Sequence, residues 1–477
     1  MSQPALVIRD VEVEGRAGLD VRIEDGRIAE IGPKLPRAAD EIDGRGGALI
    51  PGLIDHHIHL FALAAQAQSV ALDGVTTAAQ LRVRIASALA GRPPGSWLRI
   101  TGYHEAMAGE LSRGALDALA PRHRLRVQHQ TGSLWMLNSL ALAAVGAGHG
   151  PDVVERDAAG APTGRIWRGD AWLRARIGEE APALAPIGRQ LAGHGITAVT
   201  DASVTTDGSA AERLAAAHRA GDLPQRLTLM SGGELAAPAD GAFAVGPVKV
   251  LLDDHDLPPL DDFVAAIGRA RSWGRSVAVH CVTVAELAIS LAAFEAAGAR
   301  AGDRIEHGGV VAGDAIGQLK ALGLTVVTQS AFIRERGDRY AAEVEVRDQP
   351  DLYRCASLIA AGVPVAGSSD APYASPDPWL GIAAAIDRRT RGGLELGVSE
   401  RVSAERALAM YLGSAASPGS PARRLEVGAE ADLCLLGAPL RDVLASPSAE
   451  FVRATMVGGE VIFPSPRAGE GVARGDG

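Results

Sequence analysis

Residues 51–60 read PGLIDHHIHL, an apolar run closing on three histidines within four positions, His56, His57 and His59. Successive side chains on a strand face opposite ways, so Asp55, His57 and His59 share one side and His56 takes the other. One histidine in such a place is ordinarily packing. A His-x-His pair at the end of a buried strand differs, because its two imidazoles converge at the separation a metal ion requires. What surrounds that strand decides whether the pair has a site to serve.

Outward from it the chain alternates short apolar runs with amphipathic stretches. The runs are ALIPGLIDH, GITAVTDAS, QRLTLMSGG, GPVKVLL, SVAVHCV, DRIEHGGVV, GLTVVTQS and GVPVAGSSD; LDDFVAAIGRARSWG follows the fourth and AELAISLAAFEAAGA the fifth. Eight buried strands, mostly separated by helices, predict an α/β fold, a (β/α)8 TIM barrel over residues 49–419. A doubly wound open sheet shares the local pattern and differs in ring closure. Residues 61–190 are too long for one crossover and read as a helix-rich insertion after the first strand. The flanks, 1–48 and 420–465, carry short β runs with hairpin turns at Asp25-Gly26 and Gly458-Gly459. Neither flank can bury a core alone, so the two are expected to pair into one small β-sandwich domain. The last residues, 466–477, are Pro and Gly rich and read as a disordered tail.

Composition narrows the setting. A formal charge of -10 without clustered Lys and Arg argues against nucleic-acid binding. The N-terminal MSQPALVIRD lacks the layout of a signal peptide, and no apolar run reaches membrane-spanning length. The expectation is a soluble cytoplasmic protein with no membrane partner; a homo-oligomer stays open. Cys281, Cys355 and Cys434 are widely spaced, which fits neither a disulfide framework nor a sulfur-ligated zinc site. Any metal must be held by nitrogen and oxygen.

Further polar residues stand where the strands end. Lys249 sits inside GPVKVLL, where an unpaired ammonium is strongly disfavoured. His280 ends SVAVH, His307 ends DRIEH and Asp370 ends VPVAGSSD. In a barrel these positions lie on the C-terminal face, where active sites are built. In the insertion, GYHEA, VQHQTGSLWMLNS and GRIWRGDAW make His104, Trp135, Asn138 and Trp167 candidates for substrate binding at the roof of the pocket. Cys281 follows a ligand candidate on an alternating strand and should pack away from it.

The order His57-x-His59, Lys249, His280, His307, Asp370 on strands one, four, five, six and eight resembles the amidohydrolase superfamily in its binuclear form. PGLIDHHIH and RLEVGAEADLCLL look like its motifs where the chain runs into and out of the barrel. LWMLNSLAL, RIEHGGVV and GSSDAPYASPDPWLGI look most like the amidohydrolase 3 branch that contains N-substituted formamide deformylases. The resemblance implies that His57 and His59 bind one divalent ion and His280 and His307 a second, with zinc the metal these ligands favour and manganese, iron or cobalt the alternatives. It implies that Lys249, carboxylated by carbon dioxide, bridges the two ions. Asp370 would bind the first ion and act as the catalytic base and acid, with Lys249 completing the catalytic pair.

The implied function is a metal-dependent hydrolase opening a linear or cyclic carbon–nitrogen bond of a small amide-type molecule by a metal-activated hydroxide. An ester or lactone hydrolase or a deaminase could use the same scaffold, as could a decarboxylating enzyme. A non-catalytic interaction protein would be expected to lack ligands, and none is missing. The stretch VLLDDHD after Lys249 replaces an Asp-Gly pair common in relatives, and CVT after His280 departs likewise. The substrate is therefore left open.

Overall fold

The computed structural model describes residues 5–72, 74–177 and 182–464. The tail expected over 466–477 lies outside them. Two compact units form, one from Met1–Leu60 with Leu184–Gly477 and the other from Phe61–Ala183.

The first unit contains eight consecutive parallel strands. They are β1 (Leu53–Ile58), β2 (Ile196–Asp201), β3 (Arg226–Ser231), β4 (Ala244–Val250), β5 (Val277–Cys281), β6 (Arg304–His307), β7 (Thr325–Thr328) and β8 (Val365–Gly367). Every apolar run singled out in the sequence supplies one of them. Such strands are covered on both faces, so they read as near-continuous apolar segments; all six residues of β1 and of β2 are buried.

The ring nearly closes, and β8 meets β1 through loops and side chains. Asp370 N donates to His57 O at 2.8 Å, and His59 N donates to Ala371 O at 2.9 Å. Below them, Ile54 N reaches Tyr411 O and Gly367 N reaches Met410 O, each at 2.9 Å. Asp55 adds a side-chain clasp, accepting from Ser369 N at 3.0 Å and Ser369 Oγ at 2.5 Å.

Helices cover the outside as their spacing requires. Leu260–Ser272 buries Phe263, Ile267 and Ala270, which lie on one face. Val284–Ala297 starts with a capping box in which Thr283 and Glu286 satisfy each other's backbone N–H groups.

The chain ends combine in one continuous eight-stranded sheet. Leu433–Leu436 pairs antiparallel with Ala48–Pro51, which pairs parallel with Leu6–Val13. Val11, Ile23, Ile28, Leu49, Leu433 and Met456 share its core. Both expected hairpins form, with Asp25, Gly26, Gly458 and Gly459 at positive φ as tight turns demand.

The run ALIPGLIDH is thus divided between two sheets, and Gly52 is the crossing point. A Cβ there would stand 2.1 Å from Thr197 Cγ2 and 2.3 Å from Thr197 Oγ1. Gly52→Ala is expected to cost about 1–3 kcal/mol by overpacking; denaturant unfolding measures it, and an unchanged midpoint would show that β2 yields.

The second unit holds a six-stranded sheet beside its helices, where helix had been the dominant expectation. Its strands are short, several of them only two to four residues, too brief for alternation to show in sequence. Helix Ala185–Gly193, which begins inside the range assigned to the insertion, belongs to the first unit.

Candidate metal centre

Four imidazoles, one ammonium and one carboxylate sit at the ends of the barrel strands. The ring centroids of His57 and His59 are 5.3 Å apart, those of His57 and His307 4.8 Å, and those of His280 and His307 4.5 Å. Asp370 Oδ1 lies 3.1 Å from His59 Nε2 and 3.4 Å from His57 Nε2. Ligands about 2.1 Å from a common tetrahedral ion stand roughly 3.4 Å from one another. The His57, His59, Asp370 group therefore has the spacing that a tetrahedral metal site requires.

Two of these residues depend on an unusual backbone. His307 and Asp370 have φ of 71° and 56°, left-handed values rare for non-glycine residues. On strict alternation Glu306 and His307 would face opposite ways. Both nevertheless reach the His57 ring, because the left-handed turn at His307 swings its imidazole back across the mouth. Backbone strain of this kind persists where surrounding contacts enforce it, commonly at functional sites.

Three of the rings are held through Nδ1. His59 Nδ1 lies 3.2 Å from Ser203 Oγ, and His307 Nδ1 lies 2.9 Å from Gln329 Oε1. His57 Nδ1 contacts Glu306 Oε2. Anchoring Nδ1 turns Nε2 toward the centre, as second-layer partners do for metal-binding histidines. Among the described residues, His57 Nε2, Lys249 Nζ and Asp370 Oδ1 are buried without a hydrogen-bond partner. Buried polar atoms are seldom orphaned, and the lone pairs of His57 Nε2 and Asp370 Oδ1 side by side fit a bound cation.

Electrostatics agree. Burial holds the His57 imidazole well below its ordinary range, aided by the nearby Lys249 charge. Burial, His307 and Lys249 together push His280 down to about 2. Both rings are thus unprotonated, the form that ligates. Burial also lowers the Lys249 ammonium, against the pull of Glu306 and Asp370. For Asp370 burial works upward, but the adjacent His59 outweighs it and holds the carboxyl well below the carboxylate range.

The candidate residues of the second unit make contacts within that unit. Asn138 is fully buried and caps the helix Ser139–Ala144. Its oxygen accepts from Leu125 N and Ala141 N, and its amide donates to Ala120 O and His123 O. Trp135 is buried, with Nε1 donating to Asp170 Oδ1 at 2.9 Å. Trp167 is 43% exposed and donates to Glu155 Oε2.

His104 accepts from Ala106 N at 3.0 Å, and His129 Nδ1 accepts from Thr131 N at 3.2 Å. These two histidines and Glu105 form a second cluster of metal-ligating residue types. Both rings spend the Nδ1 lone pair on backbone N–H groups, so the proton sits on Nε2, and His129 donates it to Glu105 at 3.1 Å. The cluster is a capping network.

Cys281 is buried and burial pushes its thiol up to about 12, which favours the thiol over the thiolate near neutrality. His255 is exposed in the loop after β4. His56 faces away from the centre, and burial holds its ring neutral, down to about 3.

Sequence reasoning missed Arg304, Glu306, Ser203 and Gln329. The first two carried a legible signal, since two charges at alternate positions in an apolar strand are as anomalous as Lys249. The other two lie beyond the strand ends, where spacing gives no direction.

Imidazoles, a buried amine and a carboxylate at the C-terminal rim of a parallel barrel define a barrel enzyme with a site of metal-ligand composition. The chain belongs to the amidohydrolase family, which it matches over residues 40–463. That membership places it among hydrolases of carbon–nitrogen bonds. It is 27% identical over 500 residues to an N-substituted formamide deformylase of Arthrobacter pascens, covering 90% of this chain and 92% of that one. A metal-dependent hydrolase from Pyrococcus horikoshii has the same fold with a TM-score of 0.72 at 20% identity, over 91% of this chain and 97% of that one. N-isopropylammelide isopropylaminohydrolase from Burkholderia multivorans follows with 0.53 at 18% identity, over 96% and 98%. Among the described residues no helix is long and apolar enough to cross a membrane.

Proposed function

We propose that this protein is a binuclear zinc hydrolase of small linear or cyclic amides. The observation that carries the reading is the orphaned cluster of His57 Nε2, Lys249 Nζ and Asp370 Oδ1 among buried, unprotonated imidazoles. His57, His59 and Asp370 would hold one ion, and His280 with His307 the other. Bound divalent ions would supply Lewis acidity and lower the pKa of water.

Lys249, after reacting with carbon dioxide, would complete the set of groups that hold the two ions. Its burial favours the neutral amine. The nitrogen lone pair forms a bond to the carbon of carbon dioxide, one N–H proton leaves to solvent, and the resulting carboxylate offers two oxygens. The orphaned amine would thereby become a satisfied ligand. Asp370, beside both His57 and His59, takes a proton from the attacking water and returns it to the departing nitrogen. Amide and water are converted to carboxylate and amine.

The Arthrobacter relative is named for N-substituted formamides, so these belong first in a substrate panel. We place the enzyme in the cytoplasm, acting on a small molecule. Ester, lactone and deaminase chemistry would use the same groups, and matched amide and ester substrates separate them.

Elemental analysis of native protein is expected to give close to two divalent ions per chain. Chelation should abolish amide turnover, and metal with bicarbonate should restore it. Full turnover by metal-free protein would overturn the reading, and native protein devoid of metal would favour an interaction protein.

A further inference from the structure

Glu306 precedes His307 on β6 and belongs to neither group of ligands. Its carboxylate is fully buried and divided between two partners. Arg304 Nε donates to Oε1 at 2.5 Å, and His57 Nδ1 meets Oε2. Arg304 is itself fixed, donating to His56 O at 3.3 Å and lying 3.8 Å from Met230 Sδ.

We propose that Glu306, oriented by Arg304, is a positioning residue that holds the proton of His57 on Nδ1 and so presents the Nε2 lone pair to the metal. This rests on the metal-hydrolase reading above. A neutral imidazole has one donor nitrogen and one acceptor, and the partner of one nitrogen decides which is which. A carboxylate only accepts. Ser203 Oγ, facing His59, can accept or donate. Gln329 presents its oxygen to His307 because its amide nitrogen donates to Ser368 Oγ at 2.9 Å. Glu306 is the partner whose chemistry admits a single tautomer.

The near-isosteric Glu306→Gln then does more than weaken a contact. A guanidinium only donates, so Arg304 requires the amide oxygen on its own side. The new NH2 must face His57 Nδ1, and it can only donate. His57 is driven to carry its proton on Nε2, aimed where the ion should bind. Arg304→Gln/Glu306→Gln removes that constraint, because residue 304 can then accept or donate and the amide at 306 is free to turn its oxygen to His57.

Purified full-length protein, loaded with zinc and bicarbonate, tests this by elemental analysis, chelator competition and 15N NMR of histidine-labelled metal-free samples. Wild type should hold two ions and show His57 protonated on Nδ1. E306Q should bind one of them about 10–100-fold more weakly and show the proton on Nε2, while the double variant regains affinity. Circular dichroism verifies folding. Two tightly bound ions in E306Q would overturn the role while leaving the metal reading intact. Wild type without metal would overturn both. If E306Q does not fold, the wild-type spectrum still decides, because a His57 proton on Nε2 sinks the proposal.

Discussion

Lys249→Met is expected to abolish turnover and yet make the metal-free protein harder to unfold. Lys249 lies in β4 at 4% exposure, and its Nζ has no hydrogen-bond partner among the described residues. Leaving a buried donor unsatisfied costs about 1–3 kcal/mol, more when it is charged. Methionine fills the same unbranched volume without the polar atom, so unfolding in metal-free, carbon-dioxide-free buffer should show a gain of about that size. With zinc and bicarbonate restored the order reverses. Wild type gains the binding free energy of its ions, whereas the variant has no nitrogen to carboxylate and should show no turnover above background. Stability lost to a functional group is a common trade at active sites. Measurable amide hydrolysis by the variant would remove Lys249 from the mechanism. Equal metal-free stabilities would mean that Nζ is satisfied in solution, for instance by water.

The same anomaly explains why so much could be read before the fold was seen. All eight barrel strands announced themselves as apolar runs, because a parallel barrel buries both faces of each strand. His57, His59, Lys249, His280, His307 and Asp370 stood out as polar residues ending or interrupting those runs, and the barrel gathers the four histidines and Asp370 at one mouth. Lys249 was conspicuous for the cost of burying it.

What stayed hidden depends on backbone geometry or on partners distant in sequence. Alternation gives Glu306 and His307 opposite directions, and the positive φ that brings both inward occurs at a residue type that seldom adopts it. The clasp between Asp55 and Ser369 joins positions far apart in the chain, and no local pattern announces such a pair. In the second unit, Asn138 stood as a candidate for substrate binding at the roof of the pocket; its burial serves to cap a helix and tie it to neighbouring backbone. Polar residues in apolar surroundings mark an unsatisfied group, and caps meet that need as often as ligands do.

Asp370→Asn should lower turnover by about 10²–10⁴-fold, the usual contribution of a positioned acid–base group. The substitution is informative because it spares the backbone. Asp370 sits at φ 56° with its N–H donating to His57 O at 2.8 Å, and asparagine tolerates left-handed values better than most residues. Shape and chain path persist while the proton acceptor is lost. Its neighbours His57 and His59 stay in place, so rates should be compared at saturating zinc. If Asp370 hands its proton to the leaving nitrogen, the damage must depend on that nitrogen. An alkyl amine cannot depart unprotonated, whereas an electron-poor anilide nearly can, and the activated anilide should therefore retain far more of the wild-type rate. A loss of the same size for both would mean that Asp370 acts on the attacking water alone. Rates unchanged for both would return it to the status of a ligand that asparagine can replace.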